Sequence, residues 1–158
     1  LELDPEYAEA MNNIGTVYYA QRNFKKAIKQ YRKALKVAPR SASIHSNLGT
    51  AFFARKKYKN AFRSYQQALE IDPQVFEHRS TAGVLLQERN VRDRARFHFY
   101  LSKTYASVGM TELALTYMRK ALEEGFRDRD KFRTDPDFKD MQELEEFQFL
   151  LALEPRVL

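Results

Sequence analysis

A 34-residue self-similarity in the first half of the chain limits its possible folds more than any other feature. Gly15 recurs as Gly49, Ala27 as Ala61, Tyr31 as Tyr65, Ala34 as Ala68 and Pro39 as Pro73. Asn13 and Asn47, and Thr16 and Thr50, keep the same offset, and Pro5 stands one period before Pro39. A period of that length belongs to stacked supersecondary units, none of which can bury its apolar face alone. Inside the first period, Ala27, Ile28, Tyr31, Ala34 and Leu35 form one apolar face of a helix. Lys25, Lys26, Lys29, Arg32, Lys33 and Lys36 fall on the opposite side. Gly15 and Gly49 would each cost about 1 kcal/mol against alanine inside a helix. Such a residue is tolerated where a second helix approaches closely, and Ala27 and Ala61 offer the small surface facing it.

The spacing predicts helices at about 6–20 and 24–37 in the first unit, and at about 41–54 and 58–71 in the second. Asp4 and Pro5 suit a helix start, Ser41 and Ser43 are candidate caps for the third helix, and Pro39 and Pro73 stop the second helix of each unit. The period then breaks. A helix at 74–89 is expected, with Ala82-Gly83 and Leu86 matching Leu48-Gly49 and Phe52. A further unit follows 53 residues after the second, with Leu101-Ser102, Tyr105, Ala114, Met118 and Ala121 at the repeat positions. Its helices are expected at about 92–107 and 111–124. A rival register makes 92–107 the second helix of the unit begun at 76, with Ala95 and Phe99 at its repeat positions; Ala114 and Ala121 favour the first. Beyond Gly125 the pattern ends. Asp135-Pro136-Asp137 marks a helix start, and Phe138, Met141, Leu144, Phe147 and Leu151 follow at helical spacing. This tail is expected to cap the last unit. Its many acids argue against an anionic membrane surface.

The segment from Ala8 to Pro39, with Gly15, Ala27, Tyr31, Ala34 and Pro39 at their places, resembles the tetratricopeptide repeat. The resemblance implies an all-α, right-handed superhelical α-solenoid with a C-terminal capping helix pair. It divides the chain into a solenoid over 1–126 and capping helices over 127–158. The solenoid comprises units at about 8–41 and 42–75, the inserted helix 74–89 and a last unit at 92–126. It implies a non-catalytic protein–protein interaction scaffold that takes an extended peptide or a partner helix in a concave groove. The groove positions would be Glu9, Asn12, Asn13, Thr16 and Tyr19, then Ser43, Ser46, Asn47, Thr50 and Phe53. Some members clamp the C-terminal carboxylate of a chaperone. Here Asn12, Thr16, Asn47, Glu77 and Thr81 (or Arg96 and Tyr100 for the last two) stand at the clamp positions, and at most two of the five agree.

Charge supplies the alternative reading. Residues 1–73 carry 13 Lys and Arg against 6 Asp and Glu, a net of +7, and no acid occurs from Ala10 to Leu69. Lys25, Lys26, Lys29, Lys33, Lys36, Arg55, Lys56, Lys57, Lys59 and Arg63 should form a basic outer face within residues 22–63. That face would dock on an anionic partner, an acidic protein before a nucleic acid, since no nucleic-acid module is present. The basic half against the acidic tail also makes a homo-oligomer an expectation. No cysteine is available for disulfides or thiolate sites. His45, His78 and His98 form no ligand spacing and read as structural residues. No phosphate loop, nucleophile motif or carboxylate pair points to an enzyme, a metal or a cofactor. No apolar run reaches the roughly 20 residues of a membrane span. A soluble, cytoplasmic protein is expected, with a periplasmic one as the alternative. Leu1-Glu2-Leu3-Asp4-Pro5 copies the end of a unit, so the chain reads as part of a longer one.

Overall fold

The computed structural model describes residues 4–77 and 91–153, and these form two compact units, one on each side of the Leu86–Gln87 boundary. The described residues are helical and turn, with no strand. The first unit holds α1 (Pro5–Ala20), α2 (Phe24–Val37), α3 (Ala42–Ala54) and α4 (Tyr58–Ile71). The second holds α5 (Val91–Ser107), α6 (Thr111–Glu123), α7 (Asp130–Thr134), a 3-10 helix (Pro136–Met141) and α8 (Glu145–Ala152). The expected helices of the repeats appear within one or two residues of their limits.

Local chemistry explains the boundaries. The Asp4 carboxylate accepts the Glu6 amide at 2.9 Å, and Pro5 opens α1 with the φ a helix needs. Ser41 caps α3, whereas Ser43 is the second residue of the helix. Arg22 and Lys56 hold the turns between paired helices at φ 61°, a left-handed conformation that costs a side chain roughly 1 kcal/mol. The equivalent place in the second unit is Gly109, φ 79°, which adopts it without that cost. The helix expected at 74–89 does not begin at 74. Residues 73–77 are turns, because the Asp72 carboxylate takes the Gln74 amide at 2.9 Å and folds the chain back. Phe76 there sets its ring 5.3 Å from that of Tyr65. The rest of that expected helix, with His78, lies outside the described residues.

Each hairpin closes through one contact between a small and a large residue. A Cβ on Gly15 would lie 2.6 Å from the Tyr31 ring, and one on Gly49 would lie 2.7 Å from the Tyr65 ring. Ala27, Tyr31 and Ala34, like Ala61, Tyr65 and Ala68, are fully buried in these seams. In the second unit the pair is Ser102 and Met118, both fully buried. The Ser102 hydroxyl donates to the Ala114 carbonyl at 2.6 Å, the counterpart of the Ala61 carbonyl that a Gly49 Cβ would approach to 3.2 Å. A flexible methionine in place of the tyrosine ring leaves room for the serine.

The tail packs against α5 through the 3-10 helix and against α6 through α8. Phe126 stacks on Phe99 with centroids 4.6 Å apart, and Phe132 meets Phe99 edge-on at 5.1 Å. Phe138 and Phe147 complete a buried aromatic cluster. The Arg129 guanidinium donates to the Leu153 and Leu150 carbonyls, closing the C-terminus of α8.

Transplanting the second unit's seam into the first tests this account. Gly49→Ser alone should lower stability by about 1–3 kcal/mol through overpacking. Adding Tyr65→Met should recover part of that loss in urea unfolding, giving a favourable coupling between the two sites.

Candidate functional site

The expected groove positions lie on α1 and α3, and the structure divides them into two sets. Asn12, Asn47, Thr50 and Phe53 are buried. Glu9 and Asn13 are exposed, and Thr16, Tyr19, Ser43 and Ser46 are half-buried. The buried residues bind the protein to itself. The Asn47 side-chain amide donates to Asn12 Oδ1 at 2.9 Å, tying α3 to α1 inside the unit. The Thr16 and Thr50 hydroxyls each donate to the backbone carbonyl four residues earlier. They therefore accept from the Tyr31 and Tyr65 hydroxyls, at 3.1 and 2.9 Å. Burial pushes the Tyr31 hydroxyl up to about 12 and that of Tyr65 further still, so both remain neutral donors. Tyr19 packs on Phe24 and Phe53 on Tyr58, each pair 5.2 Å apart.

The second unit shows what this helix face can hold. Lys103 on α5 occupies the place of Thr16 and Thr50. Its ammonium sits 2.6 Å from Asp135 and 2.8 Å from Asp137, flanking the start of the 3-10 helix. Burial opposes the charge on Lys103, but its hydrogen bonds and Coulombic attraction to the two aspartates outweigh burial and hold its pKa above the usual lysine value. Phe99, one turn earlier, packs against Phe138 of the same segment. Sequence reading placed the tail as a cap; it did not pair Lys103 with these aspartates, which lie more than 30 residues away.

The two described histidines, His45 and His98, pack among neighbouring residues. His45 Nε2–H donates to the Pro39 carbonyl at 2.9 Å. His98 lies between Phe97 and Tyr117, with Nδ1 2.9 Å from a Glu124 carboxylate oxygen but outside hydrogen-bond geometry. Burial, reinforced by the charges of Lys120 and Arg94, lowers the His98 pKa to about 4. Burial raises that of Glu124. No cluster of potential metal ligands occurs among the described residues, and no described helix is long and apolar enough to cross a membrane.

All ten residues of the expected basic face are exposed, but they do not form one patch. Lys25, Lys29, Lys33, Lys36, Arg55 and Lys57 line a single groove of about 560 Å³ beside α2, together with Arg32, Ile28, Phe52 and Asn60. Lys26 instead lies over the Tyr18 ring, 5.5 Å from its centroid. Lys56, Lys59 and Arg63 stand outside the groove. Arg32, which sequence reading left out of the face, is central: its guanidinium lies 5.3 Å from the Phe52 ring centroid.

The geometry of α1 to α4 is that of two paired-helix repeats. Residues 12–75 match the family model described as Tetratricopeptide repeat. These are tetratricopeptide repeats. The family's general role is protein–protein interaction. No curated protein matches the chain. The α5–α6 hairpin lies outside the matched segment yet keeps the repeat's alanines, with Ala114 and Ala121 fully buried.

Asn47→Ala should lower the first unit's stability by about 1–3 kcal/mol, since it leaves the buried Asn12 oxygen without its donor. The Asn12→Ala/Asn47→Ala double variant should lose less than the sum of the single losses in urea unfolding. The depressed His98 value has a defined sign. Below the ordinary histidine pKa, the unfolded chain takes up a proton that the folded chain refuses. Stability should therefore fall as pH drops from 6.5 toward 4, by at most about 3 kcal/mol. His98→Phe should flatten that part of the pH profile.

Proposed function

We propose that the chain is a non-catalytic protein-interaction scaffold that takes an extended peptide or a partner helix on the accessible face of α1 and α3. The observation that carries this reading is the grip of Lys103 and Phe99 on the tail at Asp135, Asp137 and Phe138. On the equivalent helix of the second unit, this face already receives a non-repeat segment through two charged hydrogen bonds and an aromatic contact. On the first unit the same face offers Glu9, Asn13, Thr16, Tyr19, Ser43 and Ser46 around a floor fixed by the Asn12–Asn47 bond. Polar groups flanking one aromatic suit backbone hydrogen bonding with a side chain seated beside it. Asn47 serves this surface from below, by holding the helices in register.

Peptides selected from a displayed random library against the purified protein provide the ligand for a test. Asn13→Ala with Tyr19→Ala should weaken the best binder by roughly tenfold, with unfolding midpoints near the parent's. Neutralising Lys29 and Lys33 should leave that affinity within about a factor of two, as expected of charges outside the contact. Selected peptides that tolerate loss of Asn13 and Tyr19 would overturn the assignment of this face.

A further inference from the structure

The groove beside α2 presents seven cations, Lys25, Lys29, Arg32, Lys33, Lys36, Arg55 and Lys57, and no carboxylate. Among the described residues none of the seven takes part in an ion pair. The second unit handles its cations differently: Lys103, Arg119, Lys131 and Arg133 each lie against an acid. Gathering like charges around one concavity works against folding through their mutual repulsion. Packing of α2 does not require it, because its seam is carried by the fully buried Ala27, Tyr31 and Ala34. The arrangement makes physical sense as a recognition surface for an anion.

The shape of the groove narrows the ligand. Lys25, Lys29, Arg32 and Lys36 follow one line along α2, about 16 Å long at the rise of a helix. That is the length of about five residues of extended chain. Ile28 and Phe52 lie at the floor, and the aliphatic stems of the lysines wall it. A single apolar side chain can enter between the charges. A single-stranded nucleic acid would need open aromatic faces on which bases stack. Phe52 is the single aromatic lining the groove, so successive bases would find no row of rings on which to stack.

We propose that this groove is a second binding site, which takes an extended acidic segment of a partner protein, its carboxylates along the α2 row and one apolar side chain on the Ile28–Phe52 floor. The proposal rests on the protein-interaction reading above but uses a different face and different residues. Fluorescence anisotropy of the full chain tests it. The labelled probe alternates glutamate and serine around one central phenylalanine. Three further probes replace glutamate by glutamine, replace phenylalanine by alanine, or substitute an oligothymidine of matched charge. The expected order is the acidic phenylalanine peptide first, its alanine version weaker by severalfold, then the oligothymidine, with the glutamine version not binding. Affinity should fall steeply as salt rises. Lys29→Gln/Arg32→Gln/Lys33→Gln, all exposed positions, should lose roughly tenfold or more with an unchanged circular dichroism spectrum. Oligothymidine binding as tightly as the peptide, or peptide affinity unmoved by the triple variant, would overturn it. Asn13→Ala/Tyr19→Ala in parallel separates the two sites. That pair should leave the acidic probe untouched, and a library-selected peptide should ignore the triple variant.

Discussion

The close approach of paired helices at Gly15–Tyr31 and Gly49–Tyr65 is the constraint from which the rest of the first unit follows. A backbone with no Cβ lets the tyrosine ring lie flat against it, and each ring is completely buried there. Burying a phenol requires a partner for its hydroxyl, and Thr16 and Thr50 supply one from the same first helices that carry the glycines. Thr16 stays half-buried at the edge of the proposed peptide face, whereas Thr50 is buried. Packing inside each hairpin therefore decides which polar groups of the first helix are spent on the fold. Asn12 and Asn47 extend the same logic between hairpins, since their hydrogen bond sets α1 beside α3.

The second unit shows how the seam can change without losing the hairpin. Serine replaces glycine, methionine replaces tyrosine, and the serine hydroxyl takes the carbonyl of the facing alanine. With no phenol to satisfy, the threonine position is released, and lysine stands there instead. That lysine then fastens the tail by Asp135 and Asp137. One substitution in the core thus changes what the outer face of the same helix can hold. The two units also differ in electrostatics: among the described residues the seven groove cations of the first form no ion pair, while Lys103, Arg119, Lys131 and Arg133 of the second each lie against an acid.

The hairpins were legible in the sequence to within a residue or two, because small, large and apolar positions recur at a period that only paired helices satisfy. The buried half of the groove set was not. Asn12, Asn47, Thr50 and Phe53 occupy positions indistinguishable by periodicity from Asn13, Tyr19 and Ser46, and solvent access depends on what neighbouring helices cover. The basic face was legible as a charge run, but its division was not. Lys26 and Arg32 are both cations on the polar side of α2, yet one lies over Tyr18 and the other over Phe52 at the floor of a groove. The apolar spacing of the tail was legible, although a pair of helices was expected and the tail holds two short α-helices with a 3-10 helix between them. Its closure was not legible, since Gln142 and Arg129 donate to the carbonyls of Phe132 and Leu153, far from them in the chain.

The sequence by itself determined the helices, their pairing and the sign of the charge on the first unit, because these follow from local steric and periodic rules. The tertiary structure alone decided which polar residues serve the fold and which face outward. It also decided which cations converge on one groove and that Lys103 meets Asp135 and Asp137. The physical reason is that hydrogen bonding, burial and field convergence depend on distances between residues far apart in the chain, and no local pattern encodes those distances.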